Sequence, residues 1–381
     1  MMHAHGISDT LAARGALPID PPVLQPAHLY FELAGEDLRK RAFLVPETDG
    51  SDLCLRPDMT IPVCREALVR NEWLANRPFA LSYEGQVFRR RTDATSGAAE
   101  FMQAGAEWFF PRAAAPALEP EIIAAALDAA RAEGAEPELK LGDVGVFRAL
   151  VEAADLPASW GERLIRAFSR PGGAAAVLAE MANPAPVKAP ALAYELAGET
   201  LARAEEKVAD ALAALSIPLT GGRSYAEIAA RLQTQALRAN ARQPDPHCVN
   251  MIAAALSIED TPDQALASIF KLSLQDMRSP GLDAALEAAT SRWQALQKLA
   301  RAPMQTRFSL SLGRGLAYYD GFVFELEAPQ LGARAALGGG GRYDGLIHAL
   351  ALREKNGREV SGWGAAGFAL RTKRLADASD A

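Results

Sequence analysis

The sequence predicts a mixed α+β fold in which an antiparallel sheet flanked by helices is interrupted midway by an all-helical segment. Two runs, 83–89 and 100–107, alternate apolar and polar residues around a short polar loop, the pattern of a half-buried antiparallel hairpin. From about 147 to 300 the chain becomes alanine-rich with helical periodicity and few strand signals. Strand-type alternation then returns at 307–312 and 318–326. The chain accordingly divides into a first core part (1–145), a helical insertion (146–302) and a second core part (303–381).

Taken in order, Pro18, Pro21, Pro22 and Pro26 punctuate an extended lead-in, and 42–45 with 53–55 form a hairpin around the turn-rich 47–51. A helix follows over 61–71, with Thr60 as its N-cap and Pro62 tolerated in the first turn. After the second hairpin come a helix over 119–131 and a strand over 138–141. Within the insertion, Ser224 with Glu227 and Thr261 with Gln264 have capping-box spacing, and proline-rich breaks at 184–190 and 244–246 separate helices. Residues 361–370 read as a last small-residue strand feeding a helix through Leu375.

Length and composition suit ordinary globular material: 381 residues, 49% hydrophobic and 23% charged. A net charge of −7 disfavours a broad nucleic-acid face. Cys54, Cys64 and Cys248 have no metal-like or disulfide pairing, as in a reduced, cytoplasmic protein. No histidine has metal-ligand spacing, so neither metal nor cofactor is expected. No run is apolar enough to span a membrane.

The chemistry gathers in a few constellations. Along the strand over 100–107, Gln103, Gly105 and Glu107 face one way, and Arg89 ends its hairpin partner. That puts a cation, an amide and a carboxylate over one small polar ligand. Asp58 and Thr60 sit at a strand-to-helix junction, where they serve either as helix caps or as ligand contacts. The glycines of 338–341 match no phosphate-loop pattern; they are a flexible turn or a close backbone approach to a ligand. Tyr318, Tyr319, Arg342, Tyr343 and Asp344 remain open between packing and binding.

Together, the runs 55–60, 83–89, 100–107, 313–319, 338–346 and 367–375 resemble the catalytic core of histidyl-tRNA synthetases, a class II aminoacyl-tRNA synthetase fold. The resemblance covers roughly 18–145 and 303–376. It implies a histidine pocket made of Asp58, Thr60, Gln103, Glu107, Arg314, Tyr318, Tyr319 and Tyr343, and two ATP-clasping arginines at Arg89 and Arg374. Departures accompany it. Arg91, Gly97 and Ala99 stand where nucleotide-gripping residues belong, and Arg371 and Lys373 replace a glycine and an acidic residue, a change expected to dismantle the nucleotide clamp. No anticodon-binding domain is expected to follow.

With this wording of 21–27 and 55–60, the chain is most similar in kind to the regulatory subunits of ATP phosphoribosyltransferase. That resemblance implies no catalysis alone, a short-form catalytic subunit as partner in the first step of histidine biosynthesis, histidine as effector, self-dimerisation and no tRNA. The alternative is a truncated synthetase paralogue that activates an amino acid with ATP for a non-tRNA acceptor; a sensor docking RNA or protein through the insertion ranks third.

Overall fold

The computed structural model describes residues 5–48, 52–70, 72–91, 98–170, 172–183, 189–217, 224–239, 242–299, 304–313, 315–353 and 360–380. Its strands are β1 (Ala16–Pro18), β2 (Leu24–Pro26), β3 (Phe43–Pro46), β4 (Asp52–Leu55), β5 (Phe79–Phe88), β6 (Glu100–Pro111), β7 (Glu138–Asp143), β8 (Glu259–Asp260), β9 (Thr306–Ser309), β10 (Phe322–Glu327), β11 (Ala336–Arg342) and β12 (Trp363–Arg371). Nine form one sheet in the order β1-β5-β6-β12-β11-β10-β7-β9-β8, and β2-β4-β3 form a small second sheet. Pairing is antiparallel except for β1 with β5 and β7 with β9. Both parallel pairs lie toward the sheet's ends, so the antiparallel expectation holds for the centre that carries the site.

The expected hairpin is β5–β6, paired from Phe79 opposite Phe109 to Phe88 opposite Glu100. The tetraglycine run is a central strand, not a turn. Between β10 and β12 its neighbours approach so closely that a β-carbon at Gly338, Gly340 or Gly341 would strike the backbone oxygen of Ala369, Gly367 or Phe322. Glycine is selected there for thinness, which removes the side-chain alternation that marks a strand in sequence.

Tyr318 and Tyr319 fall outside a strand, which starts only at Phe322. Asp320 bends the chain between them, its carboxylate accepting from the Asp344 and Gly345 amides at 3.1 and 2.6 Å. Thr60 begins its helix, Thr60–Val69, as a helical residue rather than as the cap. Asp58 is the residue whose carboxylate receives the Ile61 amide, at 3.4 Å. The alanine-rich helix starts earlier than expected, at Ala115, and runs to Ala132. Pro116 lies in the first turn, where it forfeits nothing, and Pro120 removes one bond to a first-turn carbonyl.

Helix Ala115–Ala132 packs against β12 and against helices His5–Ala13 and Pro280–Leu299. Its buried Ala125, Ala126, Ala129 and Ala130 let these elements approach closely. Between β7 and β9 the described chain is helical apart from β8, which extends the large sheet. Most of this region shares the main hydrophobic core, whereas Leu196, Ala204, Val208 and Ala229 form a separate small one. The Ser224–Glu227 capping box forms reciprocally at 2.9 and 3.1 Å. Thr261 makes no side-chain cap; its amide instead donates to Asp260.

Candidate functional site

The register of β5, β6 and β12 builds the site. Glu107 is opposite Leu81 and Gly367, while Gln103 is opposite Gly85 and Arg371. With about 3.3 Å of rise per residue, Gln103 and Glu107 stand about 13 Å apart along one face of β6, with the Tyr83 hydroxyl and the Phe368 carbonyl close over Gly105 between them. Glu107 lies directly over Gly367, where any β-carbon would collide with its carboxylate. Gly85 gives the Arg56 guanidinium space to lie against the strand while it donates to Gln86 O at 2.8 Å and to Pro21 O.

Glu107 is the hub. Its Oε1 accepts from Thr60 Oγ1 at 2.9 Å and Tyr83 OH at 3.1 Å, and its Oε2 accepts from Tyr343 OH. Only 1% of Glu107 is exposed. Burial pushes its carboxyl up to about 8, against the opposing pull of the three hydroxyls. Asp58 is also raised by burial, although Arg89, the Ile61 amide and Tyr318 favour its charged form. Tyr318 OH reaches Asp58 Oδ2 at 3.4 Å. Two buried carboxyls held above their ordinary range define a place where a cationic group is stabilised.

Gln103 is buried, and its Oε1 has no hydrogen-bond partner among the described residues. Such an acceptor calls for a donor from a ligand. The rings of Tyr318, Tyr319 and Tyr343 pack together with centroids 4.9 to 6.3 Å apart. Tyr319 also lines a separate cavity of about 210 Å³ with Arg148, Ile165 and Phe168. Thus Asp58, Thr60, Glu107, Tyr318 and Tyr343 come together by direct contact, Gln103 projects from the same strand face, and Tyr319 buttresses the cluster. Arg314 lies outside the described residues, as does Gly97.

Two members escaped the sequence. Tyr83 faces Glu107 from the next strand, and the hairpin register with Gly105 could have revealed it. Tyr30, fully buried near Asp58 and Arg56 with no hydrogen-bond partner for its hydroxyl among the described residues, carried no signal beyond being an aromatic in a short helix.

Beyond the carboxylates, Arg89 donates to Pro57 O at 2.7 Å and lies over Phe101, 5.4 Å from its centroid. Arg371 lies over the same ring at 5.1 Å, and Arg374 donates to Ala336 O at 2.6 Å. The cation expected to crowd a nucleotide therefore rests on an aromatic ring beside the first expected clasping arginine. Among the described residues no group of His, Cys, Asp and Glu could hold a metal, and no helix is long and apolar enough to cross a membrane.

Comparison with known proteins gives a consistent picture. The histidyl-tRNA synthetase family model matches residues 2–249 and 226–375. An ATP phosphoribosyltransferase regulatory subunit of Brucella anthropi is 37% identical over 352 residues, 91% of this chain and 90% of that protein. One from Sinorhizobium medicae is 34% identical over 351 residues, covering 90% and 89%. Among solved structures, an ATP phosphoribosyltransferase regulatory subunit/histidyl-tRNA synthetase from Bacillus halodurans superposes with a TM-score of 0.64 at 22% identity, covering 99% of this chain and 78% of that one. A histidyl-tRNA synthetase from Nostoc gives 0.60 at 14% identity, covering 98% and 69%, and so shares the fold.

Proposed function

The chain belongs to the ATP phosphoribosyltransferase regulatory subunits, within the histidyl-tRNA synthetase fold family, and from that premise we propose that it is the non-catalytic subunit of that enzyme and carries its histidine sensor in the Asp58–Glu107 pocket. Its partner is a short-form catalytic subunit that condenses ATP with phosphoribosyl pyrophosphate in the first step of histidine biosynthesis. Histidine enters between Gln103 and Glu107: its ammonium is drawn to Asp58 and Glu107, and Gln103 Oε1 accepts one of its donors. The observation that carries this reading is the buried, hydroxyl-ringed Glu107 together with the unpartnered Gln103 oxygen.

The sensor works by linkage. If histidine favours an inhibited assembly, that assembly binds histidine more tightly by the same factor. Self-pairing is part of the proposal. Val23, Leu24 and Leu44, in and beside the small sheet, are each 40 to 50% exposed, apolar side chains open to a second copy. The net charge of −7 supports the absence of a tRNA role. Calorimetric titration with histidine tests the pocket: saturable binding in the unaltered chain, lost in Glu107→Ala, supports it, and equal affinity in both chains removes it.

A further inference from the structure

The helical region reaches this pocket through one buried ion network. Arg292, on helix Pro280–Leu299, donates Nε to Glu119 Oε2 at 2.6 Å and Nη1 to Asp143 Oδ2 at 2.8 Å. Glu119, on helix Ala115–Ala132, accepts from Arg342 Nη1 at 2.7 Å through its other oxygen. Arg342 also holds Asp344 through Nε and Nη2 at 3.0 and 2.7 Å, where Arg112 joins at 3.2 Å. Three guanidiniums thus balance three carboxylates. Glu119 and Asp143 have side chains only 5% and 6% exposed, so neither carboxylate can exchange its partner for water.

Arg342 and Tyr343 are consecutive at the end of β11. One side chain goes to Glu119 and the next to Glu107, on the other side of the strand's path. The stem of Arg342 packs against Gly321, where a β-carbon would come within 3.0 Å of it, and its carbonyl accepts the Asp320 amide at 3.0 Å. Asp320 in turn holds the Asp344 and Gly345 amides. The backbone carrying Tyr343 is anchored to β12 by its own amide, which donates to Ala365 O at 2.8 Å, and on its other side by what holds Arg342, a side chain bound to a glutamate that Arg292 shares.

We propose that Arg292 is a positioning residue for the pocket: acting through Glu119 and Arg342, it sets the Tyr343 hydroxyl against Glu107, so that helix Pro280–Leu299 tunes ligand affinity without touching the ligand. The proposal rests on the amino-acid reading of the pocket given above. Arginine is required because one planar fork bridges Glu119 and Asp143 at once, and a lysine supplies the charge at a single point.

The test uses the full chain with Arg292→Lys, Tyr343→Phe and both together, read by histidine titration and by NMR of ¹³Cζ-labelled tyrosine without ligand. Arg292→Lys should weaken histidine binding about tenfold in the parent and by less than about twofold in the Tyr343→Phe background, because the two residues act along one path. The Tyr343 resonance should move, while that of Tyr194, exposed on the helical region, should stay. Equal weakening in both backgrounds, or an unmoved Tyr343 resonance in a folded Arg292→Lys chain, overturns the proposal. A moved Tyr343 resonance in a chain that binds no histidine upholds the positioning and overturns the amino-acid reading instead. Should Arg292→Lys not fold, Glu119→Gln is read by the same criteria.

Discussion

Glu107→Gln separates the charge of the pocket from its shape. In the folded chain the Glu107 carboxyl titrates at about 8 because burial disfavours its charge. In the unfolded chain it titrates in the ordinary range near 4.5. Below pH 4.5 it is neutral in both states and contributes nothing to pH dependence. As pH rises from there, the unfolded chain ionises first, and folded-state stability falls until pH reaches about 8. Each pH unit in that window costs about 1.4 kcal/mol, so the wild-type chain loses about 4 kcal/mol between pH 5 and 8 from this one group. Glutamine cannot ionise. Urea unfolding of both chains at pH 5 and 8 should show the difference between them shifting by that amount in favour of Glu107→Gln. The same group signs the ligand's arrival. One unit below its pKa it is about nine-tenths neutral, so a bound ammonium that ionises it should release about 0.9 proton at pH 7. Calorimetry in buffers of different ionisation enthalpy reads that proton, and Glu107→Gln should lack it. Parallel pH–stability profiles for the two chains would mean that the Glu107 carboxyl is not raised by burial.

Further substitutions test separate parts of the account. Gly367→Ala places a β-carbon against the Glu107 carboxylate and the Ala106 carbonyl; it should destabilise the fold by about 3 kcal/mol and abolish histidine binding, as urea unfolding and calorimetry would show. Arg292→Met strands the buried Glu119 and Asp143 carboxylates with one shared cation fewer, a loss of about 3 to 5 kcal/mol in the same unfolding assay. Ser224→Ala removes the hydroxyl that receives the Glu227 amide, which should lower the stability of the small helical core by about 1 kcal/mol, visible as faster local hydrogen exchange near Leu196 and Val208. The isolated chain should show no amino-acid-dependent exchange of pyrophosphate into ATP.

What the sequence disclosed was what local pattern can encode. The β5–β6 hairpin was legible because its apolar and polar residues alternate, and the same parity put Gln103 and Glu107 on one face. The glycine strand was illegible for the opposite reason: Gly338 to Gly341 have no side chains to alternate, and only the backbones of β10 and β12 pressing on both sides explain them. Asp320 hid the end of β10 because its turn is secured by amides 24 and 25 residues away. Pro120 masked the first turn of helix Ala115–Ala132, since a proline inside a helical run usually marks a boundary, and here only a bond to a first-turn carbonyl is lost. In the site, Tyr83 was one register step from detection, whereas the Arg292–Glu119–Arg342 chain joins residues up to 223 positions apart and leaves no trace in any window.

The measurement that bears most directly on the central claim is ATP phosphoribosyltransferase activity on mixing this chain with a short-form catalytic subunit, with and without histidine. Activity should depend on both chains, be suppressed by histidine, and lose that suppression in Glu107→Gln while itself persisting. Activity of the catalytic subunit that is indifferent to this chain, or suppression by histidine that survives Glu107→Gln unchanged, would contradict it.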